Sequence, residues 1–214
     1  MATSARPYRP RTSARVFPRR PFMAAFGMLL FTFLLYLVEA YDQTTSLALN
    51  DEDGIVARDP SHLVGVVWAP LLHSGWPHLE SNAPFFLIFG FLVLAGGLRQ
   101  FIAVTAVIWV VSGLGVWLIA PPGSVTVGAS GVIFGWLVFL LFRGFFSGSL
   151  KQILLAVVLF LLWGGVLVGL LPGDPHVSWQ AHLFGALAGI LCARMVASAD
   201  RSRAIRSREP VIRQ

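Results

Sequence analysis

The sequence predicts an all-α fold, a polytopic membrane protein whose six transmembrane helices form one bundle. Of the 214 residues, 56% are hydrophobic and only 12% are charged, whereas soluble domains carry about a quarter charged residues. The mean hydropathy is +0.74. The apolar residues form continuous runs near the roughly 20 residues that a membrane-spanning helix needs. They do not alternate as in a membrane β-barrel.

Six runs define the predicted spans. They cover residues 22–40, 79–98, 101–120, 128–146, 153–171 and 179–197. The first run is longer than the roughly 7–15 residues of a signal-peptide core, so we expect a retained span. Only Arg99 and Gln100 separate the second span from the third, which predicts a tight turn between antiparallel neighbours.

The basic residues predict the orientation. With the N-terminus in the cytoplasm, Arg58 is the only one of the 16 Lys and Arg residues on the outer side, as the positive-inside rule requires. Both termini are then cytoplasmic, and the net charge of +6 gives no reason to expect nucleic acid. We expect a six-span domain over residues 22–197, a basic disordered cytoplasmic tail over 1–21 and a basic cytoplasmic tail over 198–214.

The connection over residues 41–77 is long and mixes polar, charged and apolar residues, including Trp68 and Trp76. A long loop with its own apolar content is expected to fold and to have a function. Tryptophan favours the membrane–water boundary, so we expect this loop to lie partly in the outer interface.

A polar side chain inside a span costs free energy unless it has a partner or a function. The run Gly128-Ala129-Ser130-Gly131 opens the fourth span near its outer end. Its small residues let Ser130 project, and the first helical turn leaves backbone N–H groups that can stabilise an oxyanion. The alternative is a serine in a glycine-rich packing interface.

His182 lies within the sixth span. In that span Gly185 and Gly189 form a G-x-x-x-G face, and Gly131 and Gly135 form another in the fourth span. Such faces allow backbones to approach closely. If these two faces pack together, the serine and the histidine lie at similar depth and can meet. The alternative is a hydrogen-bonded histidine with a structural role.

A third polar group, with His73, His78 and Asn82, lies at the outer end of the second span. His78 and Asn82 are spaced i, i+4 and share one helix face. Neutral histidine and asparagine donate hydrogen bonds without a formal charge, which suits an oxyanion hole. The alternative is helix capping and interface polarity.

All three groups fall in the outer half of the predicted bundle. A nucleophile, a general base and anion donors are what acyl transfer by serine requires. Asp174 is expected to face water, so we predict a Ser130–His182 dyad without a carboxylate. No cofactor or metal is expected, because Cys192 is the only cysteine and the histidine spacing is not that of zinc proteases.

These residues resemble the rhomboid family of intramembrane serine proteases, bacterial type, over residues 22–197. The resemblance rests on His73-x4-His78-x3-Asn82, Gly128-x-Ser130-Gly131 and Ala181-His182-x2-Gly185-x3-Gly189. It implies that Ser130 is the nucleophile and His182 the base, with His78, Asn82 and the Ser130 N–H in the oxyanion hole. It also implies a structural role for His73, and a lateral gate and cap built from the fifth span and residues 172–178.

Three positions depart from the family pattern. Phe134 stands where many members carry a tyrosine stacked on the catalytic histidine. Glu80 lies between His78 and Asn82, where apolar residues are common. In the first loop Ala69 follows Trp68, where members often have a Trp-Arg pair, and this puts the anchoring of the loop in doubt.

The resemblance implies an intramembrane serine endopeptidase of the bacterial plasma membrane. It would cut transmembrane segments of single-span membrane proteins near the outer membrane face, with the lipid bilayer as its surroundings. One alternative is a non-catalytic rhomboid-like protein that binds membrane clients. A second is a transporter or metal protein that uses His73, His78, Glu80 and His182.

Overall fold

The fold is a bundle of membrane-length helices. A computed structural model describes residues 15–45, 49–174 and 177–206. Among them, six helical stretches are long and apolar enough to cross a membrane, namely Pro21–Thr44, Trp76–Gly96, Leu98–Ile119, Ser130–Ser147, Leu150–Leu170 and Trp179–Ile205. These correspond to the six predicted spans, so the predicted fold class of an all-α, six-span integral membrane protein is confirmed.

Within the described part of the connection after the first span, two short helices add to the long ones. In chain order the α-helices are α1 (Pro21–Thr45), α2 (Leu49–Asp53), α3 (Gly65–Trp68), α4 (Trp76–Val93), α5 (Leu98–Ile119), α6 (Ser130–Ser147), α7 (Leu150–Trp163) and α8 (Trp179–Arg206). The fifth span is only partly α-helical, because a 3-10 stretch, Gly164–Leu170, continues α7. It begins at the pair Gly164-Gly165, and glycine is a poor α-helix former.

Two boundaries differ from the sequence prediction. The turn between α4 and α5 is made by Gly97, at φ +93°, and not by Arg99 and Gln100, which already lie in α5. Glycine adopts this left-handed conformation without strain. Helix α8 continues to Arg206, well past the predicted end at 197, and there the Arg201 guanidinium donates to the Phe146 carbonyl at 2.7 Å. Residues 198–206 of the predicted tail are therefore helical.

The predicted disorder of the N-terminal tail concerns mainly residues outside the described part of the chain. Residues 1–14 lie outside it, and α1 begins at residue 21. The end of the predicted C-terminal tail, residues 207–214, also lies outside the described residues.

The long connection after α1 is folded, as predicted. Its strand β1 (Ile55–Val56) pairs with β2 (Val125–Thr126), which is separated from the Gly128-Ala129-Ser130 turn by Val127 alone. The pairing is antiparallel, with Ile55 opposite Thr126. The two strands therefore tie this loop to the segment that leads into α6. A two-residue strand has too little sequence pattern to be predicted.

Two tryptophans of α5 anchor the same loop. The indole N–H of Trp109 donates to the Val66 carbonyl at 2.9 Å, and that of Trp117 donates to the Asp59 carbonyl at 2.9 Å. An indole N–H that is partly withdrawn from water usually finds such a partner. These bonds supply the anchoring that the missing Trp-Arg pair put in doubt. Trp68 itself is half-exposed at 46%.

Helix α6 is the centre of the bundle. It packs against α4, α5, α7 and α8, and its side chains Trp136, Leu137 and Phe139 are completely buried. The Trp136 indole N–H donates to the Thr105 hydroxyl at 3.0 Å. Without this bond it would have no partner in the apolar core. The helix that begins at Ser130 is thus packed on several sides and has its buried indole N–H satisfied.

Helices α6 and α8 touch through their backbones. A Cβ atom added to Gly185 would collide with the Gly131 carbonyl oxygen, and one added to Gly189 would collide with the Gly135 carbonyl oxygen. A Cβ on Gly135 would lie 2.9 Å from the Gly185 carbonyl oxygen. The predicted packing of the two glycine faces is confirmed.

We predict that Gly185→Ala destabilises the protein by about 1–3 kcal/mol, because the added methyl group meets backbone atoms that cannot rotate away. Thermal unfolding in detergent would measure the effect. Gly27→Ala is the matched control, since a Cβ at this α1 position meets nothing within 4 Å. Equal unfolding temperatures for the two variants would contradict the proposed tight contact.

Candidate active site

A cavity of about 850 Å³ opens at the end of the bundle where α4, α6 and α8 begin. We call this end the site end. The predicted nucleophile, base and oxyanion donors all line the cavity, together with the aromatic residue expected to stack on the base. They are Ser130, His182, His78, Asn82 and Phe134. The structure therefore brings together residues that lie up to 104 positions apart in the sequence.

Ser130 is the first residue of α6, and a glycine turn sets its position. Gly128 has φ +117°, which a side chain would make unfavourable, and its N–H donates to the Ala69 carbonyl at 2.8 Å. A Cβ on Gly128 would lie 2.8 Å from Nε2 of His78. The turn before Ser130 thus packs directly against the His78 ring.

The start of α6 also offers backbone donors. No side chain caps this helix end, and the first N–H groups of a helix have no partner within the helix. The positive end of the helix dipole lies in the same place. An anion formed next to Ser130 would be stabilised by these groups.

The ring of His182, only 6% exposed, is held on an edge and on a face. Its Nδ1 lies 2.8 Å from the Gly169 carbonyl oxygen. A carbonyl oxygen only accepts hydrogen bonds, so Nδ1 carries the proton and Nε2 is left as a base. Phe134 stacks on the ring with centroids 3.8 Å apart and planes 5° from parallel. The aromatic contact does not need the tyrosine hydroxyl.

The Gly169 carbonyl occupies the place that a carboxylate takes in a catalytic triad. Gly169 lies in the 3-10 stretch that follows α7, and a Cβ there would come within 3.1 Å of both the His182 and Phe134 rings. Asp174 lines the cavity too, but it is exposed. The group next to Nδ1 of His182 is thus a neutral carbonyl and not a carboxylate.

His78 is fixed in the opposite tautomer. Its Nδ1 accepts the Ser74 backbone N–H at 3.3 Å and lies 3.0 Å from the Ser74 hydroxyl. A backbone N–H can only donate, so in the neutral ring the proton is on Nε2, the atom that faces Gly128. His78 therefore presents a hydrogen-bond donor to the turn that carries Ser130.

Asn82 lies one turn further along α4 and is 5% exposed. Its side-chain Nδ2 donates to the His78 carbonyl at 2.8 Å. An amide NH2 group has two N–H donors, so one fixes the side chain on its own helix and the other can face the cavity. Glu80 is exposed and is not part of the cavity wall.

His73 lies behind His78 and outside the cavity wall. Its side chain is 1% exposed, and the centroids of the two imidazole rings are 5.2 Å apart at 69°. Burial lowers the pKa of His73 to about 3, so the ring is neutral at any physiological pH. Its position is that of a packing residue.

Sequence reasoning missed two residues that orient the histidines. Ser74 is a polar neighbour of His73 in the sequence, and this adjacency was the available signal. Gly169 gave no signal, because it acts through its backbone carbonyl within an apolar run. Among the described residues, no three His, Cys, Asp or Glu side chains converge closely enough to hold a metal ion.

Comparison with known proteins identifies a domain family and several relatives of this chain. The Rhomboid domain matches residues 60–199. An uncharacterized protein of Mycobacterium tuberculosis (strain ATCC 25618 / H37Rv) is 42% identical over 203 residues, which cover 90% of this chain and 84% of the relative. An uncharacterized protein of Mycobacterium leprae (strain TN) is 41% identical over 204 residues, 91% of this chain and 79% of that protein.

A more distant relative carries a functional name. The Bacillus subtilis (strain 168) protein YdcA, provisionally named a rhomboid protease, is 33% identical over 126 residues, which cover 56% of this chain and 61% of YdcA. The domain match covers well over half of the chain and includes Ser130, His182, His78 and Asn82. The chain belongs to the rhomboid family.

Proposed function

We propose that this chain is an intramembrane serine endopeptidase with Ser130 as nucleophile and His182 as general base. One observation supports this above all. Ser130 and His182 line the same cavity, and the Gly169 carbonyl holds the Nδ1 proton of His182, which leaves Nε2 free to accept the proton of the serine. Orientation of the base by a third group is the arrangement that activates a serine.

The proposed reaction follows the order of acyl transfer. Ser130 Oγ attacks the scissile carbonyl carbon while Nε2 of His182 takes the hydroxyl proton. The Nε2–H of His78, the free N–H of Asn82 and the Ser130 backbone N–H stabilise the tetrahedral oxyanion. His182 then gives its proton to the leaving amine, and a water molecule, activated by the same imidazole, hydrolyses the acyl-enzyme.

The proposed substrates are transmembrane segments of single-span membrane proteins in a bacterial plasma membrane. With the N-terminus in the cytoplasm, as the distribution of Arg and Lys favours, the site end lies at the outer membrane face, where water is available for hydrolysis. A peptide bond within a helix is hydrogen-bonded, so substrates need residues with low helix propensity near the cut. Residues 172–174 of the cavity wall and the span that precedes them would serve as cap and gate.

The first experiment is labelling of the purified protein in detergent with a fluorophosphonate probe, which reacts with activated serines. We expect labelling of the wild type and none of Ser130→Ala or His182→Ala, because the nucleophile or its base is missing.

Ser147→Ala is the control, since Ser147 lies at the opposite end of α6 and should not affect labelling. Absence of labelling in folded wild-type protein would refute the protease assignment. It would favour a rhomboid-like protein that binds membrane clients without cutting them.

The role of Asn82 in the proposed oxyanion hole can be tested by substitution. Asn82→Ala should lower the rate of cleavage of a single-span reporter protein by about 100-fold, because one donor to the oxyanion is lost. The unfolding temperature in detergent should stay close to that of the wild-type protein. A variant that is folded and cleaves at the wild-type rate would remove Asn82 from the proposed oxyanion hole.

A further inference from the structure

A buried carboxylate lies in α1 near the site end and has no part in the proposed reaction. Glu39 is only 2% exposed, within a helix that is otherwise apolar along most of its length. An acidic side chain in a membrane-spanning segment is costly and marks a function by default. Glu39 therefore needs a partner or a role outside the apolar face of its own helix.

The contacts of Glu39 lead to the first turn of α4. Gln43 Nε2 donates to Oε1 at 2.9 Å, and the backbone N–H of Gly75 faces the carboxylate. Oε2 is buried and makes no hydrogen bond of standard geometry. Gly75 is the N-cap of α4 with φ +105°, and its carbonyl accepts the N–H of His78 at 3.1 Å.

A second bridge from α1 reaches the same segment. The Asn50 side-chain Nδ2 donates both to the Asp42 carboxylate at 3.1 Å and to the His73 carbonyl at 2.9 Å. The outer end of α1 therefore reaches the backbone on both sides of Ser74. Asp42 is linked to the His73 carbonyl through Asn50, and the Glu39 carboxylate faces the Gly75 amide.

Ser74 is the residue whose N–H and hydroxyl contact Nδ1 of His78. We propose that Glu39, with Asp42 and Asn50, is a positioning residue: it fixes the His73–Gly75 backbone so that His78 keeps Nε2–H directed at the Ser130 turn. Glu39 touches no reacting atom and acts through Ser74 and His78. The proposal rests on the proposed protease function.

A double-mutant cycle tests this role and separates it from a general contribution to folding. The rate constant for fluorophosphonate labelling of Ser130 is measured for Glu39→Leu in the wild-type background and in the His78→Ala background. We expect a loss of at least about 10-fold in the first, because displacing a group of the active site by about 1 Å can cost about 100-fold. In the second we expect less than about a 2-fold loss, because the group that Glu39 positions is already absent.

Equal losses in the two backgrounds, or no loss in the wild-type background, would overturn the positioning role and leave the protease assignment intact. A wild-type protein that is folded and does not label would overturn both. Glu39→Gln should recover most of the rate, because its amide oxygen can still face the Gly75 N–H and accept the hydrogen bond from Gln43.

Glu80→Gln is the matched control, since this carboxylate is exposed and lies outside the cavity wall. It should label at the wild-type rate. If Glu39→Leu does not fold, Asn50→Ala replaces it in the cycle, because it removes the second bridge from α1 without adding an apolar group. Asn50→Ala should again slow labelling in the wild-type background and have little effect in the His78→Ala background. Equal losses in the two backgrounds would contradict the proposal.

Discussion

Backbone contact between α6 and α8 is the constraint on which the candidate site depends. Gly131 and Gly185 allow the two helices to meet without intervening side chains. Ser130 comes immediately before Gly131, and His182 comes one helical turn before Gly185. The contact therefore places the Ser130 and His182 side chains at the same end of the bundle, where both line one cavity. Larger residues at these positions would separate the helices, and with them the serine and the histidine.

Neutral groups orient both histidines. As a result, Nε2 has a different hydrogen-bonding role in each ring. The Gly169 carbonyl keeps the proton of His182 on Nδ1, which makes Nε2 a base. The Ser74 amide occupies Nδ1 of His78, which makes Nε2 a donor. An ionised carboxylate would be expensive in surroundings of low dielectric constant. Backbone groups fix the two tautomers without that cost.

The two sides of helix α1 have different surroundings. One side carries large exposed apolar residues such as Phe22, Phe26 and Phe33, as expected of a helix in contact with lipid. The other side packs on α4 and ends in the Glu39 and Asp42 contacts. The Rhomboid domain match begins at residue 60, so these supporting residues lie outside the matched region. The framework around His78 thus combines the family domain with a helix that precedes it.

Much of the fold could be predicted because the membrane imposes strong rules on sequence. Helices that span it must be long and apolar, and all six were found with their order. Polar residues within them are rare, so Ser130, His182 and the His78–Asn82 pair could be singled out. The glycine faces of α6 and α8 were also visible, because their spacing repeats every turn of a helix.

The sequence could not reveal interactions that backbone atoms make or that join residues distant along the chain. The Gly169 carbonyl, the two-residue β1–β2 pairing and the Glu39–Gly75 contact follow from no local pattern, since any residue has a backbone carbonyl and amide. The extent of α8 was also missed, because Arg201 reaches the Phe146 carbonyl only after α6 and α8 have packed. The sequence by itself determined which chemical groups are available and how many times the chain crosses the membrane. The tertiary structure alone decided which backbone atoms orient them, because hydrogen-bond direction depends on three-dimensional position and not on residue type.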